Sequence, residues 1–435
     1  GGNVFAGGMG RFYELDGTNY ISSVDWWKLG CVKSTKLTIT GGEIKSNVYG
    51  GGELGQVVGH HTTQNANYGT EITIQGSSTT IGKEVKDDSD YTQYTFGSVF
   101  GSGYGSLLDN ITVSRGKSTV TSNPKFIAGL VKEDTKIDMQ NGAVKASIYG
   151  GGEMASVGES TTSEQTTTVT GSTYVAVSGG TVGIAPITVS GTKRYFGGAK
   201  MGNVYGGGSG HNNTVRSGRI LKNTNVTISG GTIYHNVYGG GAYGTVGDFS
   251  YTTGNDGKVT GVNGQATTGT GVATVTITGG TIGYDGMENG MVFGSSRGDI
   301  NAPGQRDDHT AWVYDANVTI GTSSGNTSTP LIKGSVYGSG ENGHTFHDTD
   351  VKVHSGTIGV ASGEDIVVTN KDNTTTTYKA YNYPYRGNVY GGGCGTDKYY
   401  TNTTGVENPQ DGNGDKYNPL AGIAYGEANV TIDGG

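Results

Sequence analysis

Much of what an enzyme core is usually built from is scarce in this chain. Cysteine is almost missing: Cys31 and Cys394 are the only two, and they stand near opposite ends. In an elongated molecule they cannot meet, because a disulfide needs Cα atoms within about 7 Å. Free, buried thiols are therefore expected, with an intermolecular disulfide as the alternative. Proline is scarce at 7 residues, which excludes collagen and Pro/Gly linkers. Charged residues make up 15% and hydrophobic residues 32%, both low for a globular enzyme. No Lys/Arg cluster offsets the net charge of −8, so the basic stripe that a nucleic-acid partner requires is missing. No apolar run approaches the roughly 18 residues of a membrane span, and no membrane insertion is expected. The chain opens on Gly1-Gly2 without an initiator Met or a secretion leader, and reads as a mature or trimmed fragment.

Glycine is abundant instead. It accounts for 83 of 435 residues, about 19% against a usual level of about 7%. Val, Ile, Thr and 27 Tyr recur in short runs, so the chain is not a disordered one. A thin core is expected.

The glycines belong to a repeat. Its clearest copy runs Val226-Thr227-Ile228-Ser229-Gly230-Gly231-Thr232-Ile233, then Asn236-Val237-Tyr238-Gly239-Gly240-Gly241. The second half appears nine times, with its aromatic residue at Phe5, Tyr49, Phe100, Tyr149, Tyr205, Tyr238, Phe293, Tyr337 and Tyr390. The first half recurs at Leu37-Thr38-Ile39, Ile72-Thr73-Ile74, Ile137-Asp138-Met139, Val175-Ala176-Val177, Val275-Thr276-Ile277, Val318-Thr319-Ile320, Val351-Lys352-Val353 and Val430-Thr431-Ile432. Both outer positions of each triplet stay apolar while the middle one drifts, a period of two that predicts short strands with one buried face. Gly-Gly after each strand supplies a positive φ or a tight bend. No Gly-rich turn precedes a helical pattern or a Gly-Lys-Ser/Thr, so a phosphate cradle is not expected.

Steps between copies are 44, 51, 49, 56, 33, 55, 44 and 53 residues. A kelch-type propeller is the serious rival, but four strands do not fit the 33-residue step, and a propeller closes after at most eight blades. Stacked coils tolerate unequal steps by looping residues out. The expected fold is an all-β, right-handed parallel β-solenoid (β-helix) with variable loop insertions, one unit over 1–435 and part of a longer repeat array, the hand taken from the usual crossover preference. Both ends are cut mid-repeat. Val430 and Ile432 of one copy could continue into Val4 and Phe5 of the next, burying open strand edges. Strand-like pieces inside the insertions, such as Ile111-Thr112-Val113 and Ile187-Thr188-Val189, suggest that long units hold two coils.

Stacked coils place the nine aromatic rings over one another, as a stiffening ladder or, were the rings exposed, as a face for sugars. Sequence leaves that exposure open. Glu53, Glu153 and Glu341 each follow a glycine-rich triplet but fall in the second, fourth and eighth copies, so no neighbouring pair supplies the acid and base of a glycan-cleaving β-helix. No catalytic residue is expected. Asp411, Asn413 and Asp415 resemble the start of a calcium loop that lacks its Gly and closing Glu, so calcium is the only cofactor considered. His344, His347 and His354 read as solvated loop histidines rather than a zinc set. Arg297-Gly298-Asp299 carries the letters of an integrin-binding tripeptide by chance. The outward Thr38, Thr73, Thr227, Thr276, Thr319 and Thr431 form an ice-binding-type ladder broken by Asp138, Ala176 and Lys352.

Units such as VTISGGTIYHNVYGGG resemble the Gly-rich repeats of large surface proteins of Bacteroidota-type bacteria. That resemblance spans nearly the whole chain and implies an extracellular or cell-surface location, a β-helix, and an adhesive or fibre-forming role. It carries no catalytic residues. The expected partners are copies of itself, flanking repeats, glycans or a host surface. The alternative function is a glycan-binding or glycan-cleaving β-helix, or else a metal-stabilised extracellular module.

Overall fold

The computed structural model describes every residue except 1, 11–13, 17–18, 22–28, 84–96, 108–110, 116–117, 123–126, 164–165, 190–191, 213, 256–258, 285–288, 299–308, 324–328, 360–365, 370–373, 379–386, 396–397, 400–415, 418–421 and 435. Among the described residues the regular structure is all β. Two large sheets run the length of the molecule, and every strand pair within them is parallel. The first holds nine two-residue strands in chain order, from Val4–Phe5 through Val204–Tyr205 to Val389–Tyr390. The second carries two columns. One contains the VTI-type strands, from Thr35–Ile39 to Ala428–Ile432; the other contains short pairs such as Glu43–Ile44 and Thr357–Ile358. Thr224–Ile233 and Val272–Ile282 run through both columns unbroken.

The chain thus passes the same positions once per circuit. Circuits 1 to 9 begin at Val4, Val48, Val99, Ile148, Val204, Val237, Val292, Val336 and Val389, which are paired in that order. The Leu37-Thr38-Ile39 triplet pairs residue for residue with Ile72-Thr73-Ile74, and this register is kept to Val430-Thr431-Ile432. Parallel in-register stacking contradicts a propeller, whose blades are antiparallel.

Alternation explains the core. Val48, Ile72, Ile74, Ile137, Ile148, Val204, Val226 and Ile228 meet in one continuous apolar cluster. Their side chains are essentially inaccessible, worth roughly 1.5–3 kcal/mol each on transfer. A third column links successive passes through single bridges, Val32–Val57–Val131–Val157–Ile220–Val246, continuing as Trp312–Val313 against His344–Thr345. Its one-residue contacts leave no strand-length signature in the sequence.

Two glycine roles separate. The glycine three residues after these VTI triplets (Gly42, Gly142, Gly180, Gly231, Gly280) has a φ of 78–89°, as the bend requires. The first glycine after each aromatic residue does not have a left-handed φ. A Cβ on Gly101, Gly150 or Gly206 would instead lie 2.1 Å from the carbonyl oxygen of the next circuit's equivalent glycine. The expectation of positive φ holds for the first set, and close stacking governs the second.

The inserted pieces are hairpins and not second coils. Ile111–Arg115 pairs antiparallel with Ser118–Ser122, and Ile184–Val189 with Thr192–Phe196. Most insertions leave and re-enter through a pinched neck of two glycines, as at Gly158 with Gly171 and Gly283 with Gly290, and one through Gly298 with Ala311. Cβ atoms built at Gly171 and Gly283 would lie 2.2 Å from Gly158 and Gly290, and all four have positive φ. An insertion of any length therefore departs without disturbing the stack.

Candidate functional site

The most elaborate side-chain arrangement lies along the aromatic column. Phe5, Tyr49, Phe100, Tyr149, Tyr205, Tyr238, Phe293, Tyr337 and Tyr390 form one stack, with centroids 4.6–5.0 Å apart and planes within 15°. Such contacts contribute about 0.5–1.5 kcal/mol per pair beyond area burial. The stack is covered: from Tyr49 through Tyr337 no ring exceeds 4% exposure. Val points into the aliphatic core and Tyr into a second apolar layer, so both faces of these strands are buried. An exposed sugar face on this ladder is overturned. The rings open only at the two ends, where Phe5 is half-buried and Tyr390, on circuit 9, is 38% exposed.

The residue two before each aromatic explains the Asn-Val-Tyr pattern. Asn47 Oδ1 accepts the backbone N–H of Gly97 and Ser98 one circuit on, and Asn236 Oδ1 accepts that of Met291. Their amide nitrogens donate to Tyr49 Oη and Tyr238 Oη at 3.1 Å. On circuits with Ser in that place, Ser98 Oγ accepts from Ser147 N and Ser147 Oγ from Asn203 N. A buried threonine column, not anticipated from sequence, pins the glycine corner: Thr35, Thr70, Thr135, Thr173, Thr224 and Thr349 each donate Oγ1 to a corner glycine carbonyl at 2.5–2.7 Å. A threonine opening each strand, read beside the glycine triplet, was the available signal.

Covering the rings is the position after each glycine-rich triplet, which includes Glu53, Tyr104, Glu153, Arg297 and Glu341. Tyr49 donates its hydroxyl to Glu153 Oε2, two circuits away, while Tyr104 on the intervening circuit meets the Tyr49 ring edge-on at 6.1 Å. The motif returns with Tyr238 Oη donating to Glu341 Oε2 at 2.5 Å, and Arg297 Nε lies 3.5 Å from the same oxygen. Burial raises the Glu153 carboxyl, against the Tyr49 hydrogen bond that lowers it. Burial opposes the charge on Arg297, but the Glu341 carboxylate and surrounding tyrosines overcome it and hold the guanidinium firmly protonated. Burial, then the Arg297 charge, drives His235 down to about 3 and keeps it neutral. Arg297 is thus part of this buried layer and not an exposed integrin-type arm; Asp299 lies outside the described residues.

Other expected positions fall elsewhere. Asp411, Asn413 and Asp415 lie outside the described residues. Asp315, His347 and Asp348 bring ligand-type atoms within 4.8 Å. Those carboxylates already serve the stack: Asp315 Oδ1 accepts the backbone N–H of Asp348 (3.1 Å) and meets His347 Nδ1 at 2.7 Å, while Asp348 Oδ1 accepts from Glu427 N (2.8 Å). Asp134 and Asn223 cap the following circuit in the same way, so the cluster is one stretch of a turn-capping column. His344 is not a solvated loop residue: it is fully buried, 4.5 Å from the Trp312 ring. His354 meets Asp433 instead. Cys31 and Cys394 form no disulfide and are half-buried, more open than expected. Val4 and Phe5 are half-buried, and Val430 and Ile432 are 44% and 62% exposed, at the two open faces of the stack. The Thr38 to Thr431 positions do form one register column, interrupted at Asp138, Ala176 and Lys352.

An aromatic cluster that reaches the surface at Tyr425, over a buried Trp312, was not foreseen. Trp312, Tyr314, Phe346 and Tyr425 meet at centroid distances of 5.8–6.0 Å, with His347 stacked 5.1 Å from Tyr314. Comparison of the chain with family models, with curated proteins and with solved structures finds no match.

Proposed function

We propose that this chain is a right-handed parallel β-solenoid, a segment of a longer array, acting as a structural and adhesive rod at a bacterial surface. The observation that carries the reading is the use of the interior: aliphatic core, aromatic stack and Thr, Asn and Asp columns all join one circuit to the next. Such a body resists bending, and its variable chemistry projects outward on hairpins. Eight steps at the ~4.8 Å strand spacing give only roughly 40 Å of length. A spacer of that length does not need the eight hairpins found among the described residues, so the hairpins supply the adhesive contacts. No catalytic residue and no resident cofactor enter this reading.

A retention assay tests it. Beads coated with the chain are washed over glycan-coated and protein-coated surfaces, beside beads whose chain has residues 60–68, 159–170 and 248–270 cut to short turns. Retention lost on trimming supports the reading. Retention unaffected by trimming, or absent on every surface, removes the adhesive part.

A glycan-binding alternative draws support from Tyr425, 60% exposed, with the half-buried Tyr314 and Phe346 beside it over a covered Trp312, because flat rings beside a histidine–carboxylate pair suit the apolar face and hydroxyls of a sugar. Tryptophan fluorescence titrated with oligosaccharides tests that patch, and release of reducing ends would add cleavage.

A further inference from the structure

The insertions follow a parity that the nine-fold repeat conceals. At the corner after the glycine triplet, odd circuits carry insertions, between Gly10 and Gly30, Gly105 and Gly129, Gly210 and Gly218, Gly298 and Ala311, and Gly395 and Gly422, every one of these residues having positive φ. Even circuits close that corner tightly, as Gly52-Glu53-Leu54-Gly55, Gly152-Glu153-Met154-Ala155, Gly241-Ala242-Tyr243-Gly244 and Gly340-Glu341-Asn342-Gly343. The corner before the aromatic strand shows the reverse. Even circuits insert between Gly82 and Gly97, Gly183 and Gly202, Gly283 and Gly290, and Gly359 and Gly387, again all with positive φ. Odd circuits pass directly there, from Ile44 to Val48, Val144 to Ile148, Ile233 to Val237 and Ile332 to Val336.

Sterics require this. Circuits repeat at ~4.8 Å, whereas a hairpin needs about 10 Å along the axis, whether it lies flat with side chains above and below or stands with its strands one over the other. Insertions at one corner therefore exclude insertions at that corner on both neighbouring circuits. A second observation has the same period: both Tyr–Glu bonds, Tyr49 to Glu153 and Tyr238 to Glu341, leave an even circuit, skip an odd one and end on the next even circuit.

We propose that the true repeat is a two-circuit unit, and that each open face accepts only an even-type circuit of a like-built chain, one whose corner after the glycine triplet closes without an insertion. This rests on the solenoid reading above and sharpens it. Circuits 1 and 9 are both odd. Stacked head to tail, two odd circuits would lie side by side, with insertions leaving the same corner between Gly395 and Gly422 of one copy and between Gly10 and Gly30 of the next. Direct polymerisation of the unaltered chain is thereby blocked, and its natural neighbour is an even circuit.

The test compares the full chain with two corner-trimmed versions of itself. In one, residues 9–29 are replaced by Glu-Leu, copying Glu53-Leu54; in the other, residues 394–421 are replaced by Glu-Asn, copying Glu341-Asn342. Each change converts one end circuit to the even type, and two independent variants guard against a folding failure in either. Sedimentation and electron microscopy should show single particles for the full chain and filaments, at least tenfold heavier, for a trimmed chain. Filaments of the unaltered chain with a one-chain axial repeat would overturn the proposal. So would trimmed chains that keep the β spectrum and yet stay single. Particle shape in the same micrographs, a short rod or not, reports separately on the solenoid.

Discussion

Tyr238 Oη gives its hydrogen to Glu341 Oε2 across a gap of 103 residues, and Arg297 Nε approaches the same oxygen from the circuit between them. One carboxylate thereby ties three successive circuits together inside an apolar layer. Removing it leaves a guanidinium in that layer without its main partner. Glu341→Ala should cost on the order of 3 kcal/mol. Tyr238→Phe should cost closer to 1 kcal/mol, because Glu341 keeps Arg297 and the ring still stacks. Hydrogen exchange at the Val237 and Val292 amides, compared between the two variants, measures the difference; equal protection in both would mean that the charge pair contributes nothing.

Acid should loosen the molecule at a second buried carboxylate. Burial alone would raise Glu71, but hydrogen bonds from Lys136, His61 and Lys36 outweigh it and pull its pKa to about 2. Its folded value lies below the ordinary carboxylate value. Its stabilisation is therefore complete above about pH 4.5 and is lost as pH falls from there toward 2. Melting temperature should drop in that window, and Glu71→Gln should flatten the drop while lowering stability at pH 7. A parallel pH profile for the variant would show that Glu71 is not the group responsible.

Base acts in the opposite sense on the rings. Burial, then neighbouring tyrosine or glutamate charge, raises Tyr205 and Tyr238 well above 10. Groups raised in this way favour the folded state below pH 10 and lose that contribution as pH rises further. Absorbance at the tyrosinate band should report only exposed phenols up to about pH 11, with the stacked set ionising when the fold opens. Smooth ionisation of all tyrosines near pH 10 would contradict a covered stack.

Glycine substitutions should divide by position within a single motif. At Gly206 a methyl would meet the Gly239 carbonyl oxygen at 2.1 Å, whereas nothing lies within 4 Å of one at Gly392. Gly206→Ala should destabilise by about 3 kcal/mol or prevent folding, and Gly392→Ala should be neutral within about 0.5 kcal/mol. Thermal melts of both, with soluble yield as a second reading, decide it.

The parts of this fold legible in sequence were those with their own period. Nine VTI-type triplets and nine aromatic strands announce their inward positions by alternation, and each pairs in the expected register. Ile111-Thr112-Val113 misleads, because a hairpin strand and a stack strand share the same alternation. What separates them is the pair of flanking glycines, Gly105 and Gly129, whose left-handed backbones touch only in three dimensions. Tyrosine burial was illegible for a similar reason: the cover comes from Glu153 or Arg297, and the chain must fold back before either reaches a ring. Glu53, Glu153 and Glu341 were visible as acids on non-adjacent copies. That spacing separates them from one another while bringing Glu153 and Glu341 to tyrosines two circuits away.

The alternating corners also set a scale for recognition. Hairpins leaving one corner stand about 10 Å apart along the axis, held there by a body with almost no freedom to change the spacing. Successive hairpins on one corner would therefore meet any partner surface at a fixed, high effective concentration. A contact of millimolar strength, negligible for a single Thr-rich hairpin such as Ser160–Ser163 with Thr166–Val169, would be multiplied by its neighbours against any target whose own spacing matched. A target with the wrong spacing would receive one weak contact at a time.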